Sequence, residues 1–320
     1  MKFLRLAVAT LVAGLLSSAH AQTWPTQPVR IVVPTPAGSS VDIVARVVGD
    51  KLKDALGQPV VVENRAGAGG TIGADVVAKA RDGHTLLLGY NGPLTVAPSL
   101  FPKLPYDPVK DLQPVILAAT QPNVLAVRSE LGVSNLKQLI TYAKAHPGKL
   151  DYASVGNGSL SHLSMEMLKM DAGLFMLHVP FNGGPPAAQA LGAGEVQMGF
   201  AALSNVQPLV KAGKVKLVAV SNGKRSVALP DVPTVAEQGF PGFDATTWNG
   251  FLAPAAMPKD VVVRLNKAIG QILAQPDVRN KLLAAGAEPA GGSPEDFAAL
   301  MKNEFSRWPA VVKRSGAKVD

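Results

Sequence analysis

Three short Gly/Ser-rich loops hold the residues of this chain best placed to do chemistry, and in the first two an apolar run leads in and a helix-like segment leads out. In the first, Pro34-Thr35-Pro36-Ala37-Gly38-Ser39-Ser40-Val41-Asp42, Ser39 and Asp42 stand at capping-box spacing. A helix start leaves backbone N–H groups unpaired, and with the helix dipole they attract an anion by ~0.3–1 kcal/mol before hydrogen bonds are counted. The competing reading is an ordinary capped helix in which Ser39 satisfies its own backbone. The second loop, Ser154-Val155-Gly156-Asn157-Gly158-Ser159-Leu160-Ser161-His162, repeats the arrangement further along the chain. Two such starts facing one cleft would hold a carboxylate through charge-assisted hydrogen bonds of ~1.5–3 kcal/mol each. Four of them, less the losses on association, reach the ~8 kcal/mol of a micromolar ligand. His162 falls one turn into its helix, where a lone histidine is more often structural than catalytic. The third loop, His178 through Phe181, Asn182, Gly183 and Gly184 to Pro185-Pro186-Ala187, reads as a rigid turn offering N–H groups ahead of a short helix, or as a plain connection.

A fourth glycine cluster, "ENRAGAGGTIG" from Glu63, suggests a phosphate cradle at first sight. Its spacing is G-x-G-G-x-x-G, no acidic residue follows the next strand, where Asn91-Gly92-Pro93 stands, and no Gly-Lys-Ser/Thr is present. A turn needing positive φ and close backbone packing is the better account. Enzyme signals are weak: there is no G-x-S-x-G elbow, no H-E-x-x-H and no histidine pair at metal spacing. No catalytic residue, metal ligand or cofactor is therefore expected. A secreted α/β hydrolase using a serine with His162 or His178 is the alternative.

The elements that position these loops alternate between strand-like and helix-like, the pattern of an α/β fold. Strands are expected at 29–33, 60–62, 85–90 and 115–119, with helices at 41–56 and 72–80 and a proline-punctuated loop from Pro98 to Pro108. A second set follows, with strands at 124–127, 151–155, 196–200 and 215–220 and helices at 136–146 and 160–171. Helices near 259–274, 276–285 and 294–307 close the chain, the last with Ser293-Pro294-Glu295-Asp296 as its start signal. Two sets of similar size imply two lobes around a cleft.

Residues 1–21 read as an export signal, with basic Lys2 and Arg5, an apolar run too short for the ~20 residues of a membrane span, and Ala19-His20-Ala21 for cleavage after Ala21. The expected mature chain is soluble and exported. Loss of Lys2 and Arg5 lowers the formal charge from +8 to +6. The excess is scattered without aromatic interleaving, which argues against nucleic acid and favours encounter with small anions. The chain has no cysteine, which rules out disulfides, thiol catalysis and a lipoprotein anchor.

"VPTPAGSSVDIVAR", "ENRAGAGGTIGAD", "YASVGNGSLSHL", "HVPFNGGPPA", "LPDVPTVAEQGFPGFD" and "WNGFLAPAAMP" occur in that order. Together they resemble the Bug family, the extracytoplasmic solute receptors of tripartite tricarboxylate transporters. The resemblance implies a two-lobed, type II-like Venus-flytrap fold. With Ser221-Asn222-Gly223 ending a strand where the chain crosses back, lobe 1 is expected to be 22–120 with 222–320 and lobe 2 to be 121–221. It implies a periplasmic receptor that delivers a small di-, tri- or aromatic carboxylate to membrane permease subunits; a monomer is the expectation, though no sequence feature sets the oligomeric state. A ligand sensor without transport is a further alternative. The ligand-contacting set it implies is Thr35, Pro36, Ala37, Gly38, Ser39, Ser40 and Asp42 from the first loop and Ser154, Gly156, Asn157, Gly158, Ser159 and His162 from the second. Phe181, Asn182, Gly183 and Gly184 complete the second lobe's side, and Asn91 is added from the end of the third strand. The chain departs from the family pattern at Thr35, where an aromatic is usual, at Ser39 of a usual Gly-Gly, and at Phe181-Asn182, where Tyr-Lys is common. Ligand identity is therefore the least transferable expectation.

Overall fold

The structure, a computed structural model, describes residues 24–318. The expected signal segment and its cleavage site lie outside the described residues. The chain runs β1 (Val29–Val33), α1 (Ser40–Leu56), β2 (Val60–Asn64), α2 (Thr71–Ala78), β3 (Thr85–Tyr90), α3 (Ala97–Leu100), β4 (Leu112–Gln121). It continues through β5 (Asn123–Arg128), α4 (Leu136–Ala145), β6 (Asp151–Ser154), α5 (Leu160–Ala172), β7 (Leu177–Pro180), α6 (Gly184–Ala193), β8 (Met198–Ala202), α7 (Leu203–Lys211) and β9 (Val215–Val220). The last stretch is β10 (Thr247–Pro254), α8 (Lys259–Leu273), α9 (Pro276–Ala284), β11 (Glu288–Gly291) and α10 (Pro294–Ser315). No helix among the described residues is long and apolar enough to cross a membrane.

The strands form two sheets, ordered β11-β4-β10-β3-β1-β2 and β7-β6-β8-β5-β9. In the first, β1 pairs parallel with β2 and β3, whereas β10 runs antiparallel to β3 and β4. The ends of β1, β3 and β4 and the start of β10 therefore share one edge. In the second, β5 is antiparallel to β8 and β9, and β6 is parallel to β7 and β8. Its corresponding edge carries the ends of β6, β7, β8 and β9 and the start of β5. Because β4 ends at Gln121 and β5 begins at Asn123, the two edges face each other.

Strands β7 and β11 and helices α3 and α7 are not among the expected elements, and two further elements, β10 and α10, depart from the expected pattern for plain physical reasons. Strand β10 sits at the centre of its sheet, buried along nearly its whole length, so it shows no polar alternation to betray it. Helix α10 continues through Pro309 to Ser315, beyond the expected end at 307. Its Phe297 and Met301 pack with Val32, Leu87 and Leu252, while its Trp308 and Val312 pack in the second sheet's core with Tyr152 and Leu163. One helix thus ties both sheets together. Beyond residue 222, Val235, Phe243 and Ala245 also pack in the second core, and the chain rejoins the first sheet at β10.

Candidate functional site

Both Gly/Ser loops end in a helix capped by serine. Ser39 accepts from the Asp42 N–H (3.2 Å) and Ser159 from the His162 N–H (3.3 Å). Gly38 and Gly158 hold φ of +79° and +69°, a conformation that favours glycine. At each, the glycine N–H donates to the side chain four residues on: Gly38 to Asp42 Oδ2 (2.9 Å), Gly158 to His162 Nδ1 (3.0 Å). In the first loop this leaves the N–H groups of Ala37, Ser40 and Val41 without a partner among the described residues, and in the second those of Asn157, Leu160 and Ser161. The two sets occupy matching positions, so each helix start offers the same triplet of donors at the positive end of its dipole.

The loops are held by different chemistry. Asp42, 2% exposed, also accepts from Arg46 Nε (2.9 Å) and from Asn64 Nδ2 (2.9 Å). Burial pushes its pKa up, but hydrogen bonds from Arg46, the Gly38 N–H and Asn64 outweigh it and hold the carboxyl below its ordinary value. The expected ligand contact at Asp42 is thus a buttress whose oxygens are already engaged. Asn64 also donates to the Thr35 carbonyl (3.1 Å), and Thr35 Oγ1 lies 2.6 Å from Ser39 Oγ. The glycine cluster that follows Asn64 completes the support, since a Cβ at Gly73 would sit 2.8 Å from Pro34 Cα. Only glycine lets α2 approach the first loop this closely.

The second loop rests on neutral histidines. The His162 and His178 rings stack at 3.8 Å and 7°, and Tyr152 stacks on His178 at 4.9 Å. Burial, reinforced for His162 by Lys169 and for His178 by His162, lowers both pKa values to about 4. His178 Nε2 lies 2.6 Å from Ser154 Oγ, which also accepts from the Gly156 N–H (3.1 Å). No carboxylate hydrogen-bonds the His178 ring among the described residues, and Ser154 is 1% exposed, so the pair lacks the orienting acid and the access of a hydrolytic triad.

The third loop reaches across to the first: a Cβ at Gly183 would lie 3.4 Å from Pro36 Cγ. The second loop meets the first sheet's side at α3, where a Cβ at Gly158 would collide with Leu100. Asn182 is exposed at the turn and Phe181 packs against the second sheet's apolar layer. Pro185 and Pro186 have no N–H, and the Gly183 N–H donates to the Phe181 carbonyl, so α6 contributes fewer donors than its glycines suggested.

Asn91, expected to contact the ligand, is engaged within the protein. It is fully buried; its Nδ2 donates to Glu304 Oε2 (2.7 Å) and its Oδ1 accepts from the Trp248 N–H (3.1 Å). Glu304 also accepts from Thr95 Oγ1 (2.8 Å) and Trp308 Nε1 (2.9 Å). Asn91 therefore anchors α10 behind the crossing strands, beside a cavity of about 150 Å³ lined by Thr120, Trp248 and Arg307. Sequence reasoning missed Arg46 and Asn64, whose side-chain amide and guanidinium have no local motif to announce them.

Two facing sheets with matched anion-ready helix starts define a two-lobed solute-binding protein. Residues 44–317 match the tripartite tricarboxylate transporter family receptor, and the chain belongs to that family. It is similar to a solved R. palustris protein with adipate (36% identity, 92% of this chain and 99% of that one, TM-score 0.87). MatC of Rhodopseudomonas palustris with bound malate is 38% identical over 90% of this chain and 100% of that one, TM-score 0.83. The periplasmic binding protein BugD is 36% identical over 92% of this chain and 99% of that one, TM-score 0.84.

Proposed function

We propose that this chain is a periplasmic receptor that captures a small carboxylate between its first and second Gly/Ser loops and hands it to the permease subunits of a tripartite transporter. The observation that carries this reading is the matched pair of unpartnered N–H triplets on facing edges, backed by glycines that no side chain can replace without strain. The relatives solved with adipate and malate support the ligand class. In this reading the leader is cleaved after Ala21, the mature chain is a monomer without enzymatic activity, and the lobes are 22–120 with 222–320, and 121–221. The stretch after 222 lends Val235, Phe243 and Ala245 to the second core.

A thermal-shift screen of the mature chain over small acids tests the reading. An acid present at 100 times its Kd adds ~2.7 kcal/mol of stability and raises the melting temperature accordingly. A flat screen, joined to ester hydrolysis that Ser154→Ala abolishes, would replace the receptor by a hydrolase built on the Ser154–His178 pair.

A further inference from the structure

The carboxylate-receptor reading leaves the far end of the ligand unassigned, and the crossing strands carry groups that fit it. Gln121 and Thr247 are paired across β4 and β10, so their side chains share a face, and Asn249, two residues along β10, shares it too. Asn123 Nδ2 donates to Thr247 Oγ1 (3.2 Å), carrying that face over to the second sheet. Asn222 follows Ser221, which accepts the Asn123 N–H at the same edge. Gln121, Asn249 and Asn222 are 3%, 0% and 9% exposed. Even so, Gln121 Nε2 and Oε1, Asn249 Oδ1 and Asn222 Oδ1 have no hydrogen-bond partner among the described residues. Asn249 Nδ2 donates to the Trp248 carbonyl (3.2 Å), which fixes the amide and makes the oxygen the free atom. A buried amide without a partner is destabilising, so such a cluster at facing edges calls for a function.

The chemistry of the cluster is specific. It presents three acceptor oxygens against two NH2 groups, those of Gln121 and Asn222, and all of it is uncharged. The segments meeting at the two edges (34–40, 89–92, 119–123, 154–159, 181–184, 201–205, 219–223 and 246–250) contain no Lys or Arg, and Lys224, just beyond them, is exposed to solvent. A second carboxylate placed here would face acceptors and lose its water without gaining a counter-ion. A group that donates hydrogen bonds and accepts one would satisfy the cluster. We propose that Gln121, Asn249 and Asn222 determine specificity, selecting a monocarboxylate whose far end is an uncharged donor, a primary amide or a hydroxyl, over the corresponding dicarboxylate.

The experiment is calorimetric titration of the mature chain with three length-matched series: succinate, glutarate and adipate; their monoamides; and butyrate, pentanoate and hexanoate. One monoamide should bind at least about tenfold more tightly than both its dicarboxylate and its alkyl counterpart. Gln121→Leu and Asn249→Leu should each abolish that preference, the monoamide losing affinity relative to the alkyl acid of the same length. Gln121→Leu should also raise the melting temperature of the ligand-free protein, because it removes an unpartnered buried amide. If Asn249→Leu fails to fold, Gln121→Leu alone decides. A dicarboxylate that binds as tightly as its monoamide overturns the proposal, as does a preference that survives Gln121→Leu. If no acid of any series binds, the inference fails, and the receptor reading fails with it only where the wider thermal-shift screen is flat too; alkyl acids binding as well as the monoamides would sink the inference alone.

Discussion

The two facing loops solve one geometric problem with opposite chemistry. Each has a serine cap, a positive-φ glycine, and a side chain one turn into the helix that takes the glycine N–H. In the first loop that side chain is the carboxylate of Asp42, neutralised by Arg46 and pinned by Asn64. In the second it is the neutral ring of His162, stacked on His178. A carboxylate buttress at an anion site needs a nearby cation to cancel it, and Arg46 supplies one from the helix's outer face. A neutral imidazole needs none, but it introduces a group that can gain a proton. The shared backbone geometry sets the donors; the buttress sets how the loop answers to pH.

The largest test of this comparison is Asp42→Ala. It strips a buried acceptor from Arg46, Asn64 and the Gly38 N–H, and should lower stability by about 3 kcal/mol and loosen the first loop. Urea unfolding would measure it, and a change under 1 kcal/mol, with ligand binding intact, would mean that the carboxylate does not hold the loop.

Next come the glycines. Gly38→Val and Gly158→Val both pay for a positive φ, about 1–3 kcal/mol. Gly158→Val adds a collision with Leu100, whereas Gly38 has nothing within 4 Å of a Cβ. The valine at 158 should therefore melt lower than the valine at 38; equal melting temperatures would remove the contact between the second loop and α3 from the account.

The acid response separates the buttresses more finely. An unfolded histidine titrates near 6.5, whereas both folded rings titrate at about 4. Between those values the unfolded chain binds more protons. Stability is therefore complete above 6.5 and falls as pH drops toward 4, by up to ~1.4 kcal/mol per pH unit for each histidine. The contribution of Asp42, whose pKa is lowered from 3.8, is lost only below that window. Melting curves across this range should slope downward with acid, and His162→Gln, which keeps an acceptor for Gly158, should flatten the slope. An unchanged slope would mean that other groups set it.

The smallest effect belongs to the caps. Ser39→Ala and Ser159→Ala should each lose about 1 kcal/mol of stability and weaken carboxylate binding modestly. Unequal losses would show that Thr35, bonded to Ser39, or Ser161, 3.0 Å from Ser159, shares the capping load.

Sequence by itself determined what acts over a few residues. Ser39 and Ser159 could be read as caps because a cap bonds within its own first turn, and β1, α1 and β3 showed in their apolar spacing. The glycines of the fourth cluster could be read as shape, since their spacing fits no phosphate loop. What only the tertiary structure decided depends on partners far apart in the chain. Asn91 looked available at the end of a strand, yet Glu304, 213 residues on, takes its amide. Strand β10 carries no alternation because it is covered on both faces. Gln121 and Asn249 are ordinary polar residues until strand pairing places them on one face of the sheet. Hydrogen bonds and burial are satisfied between neighbours in space, and only the folded chain says which residues those are.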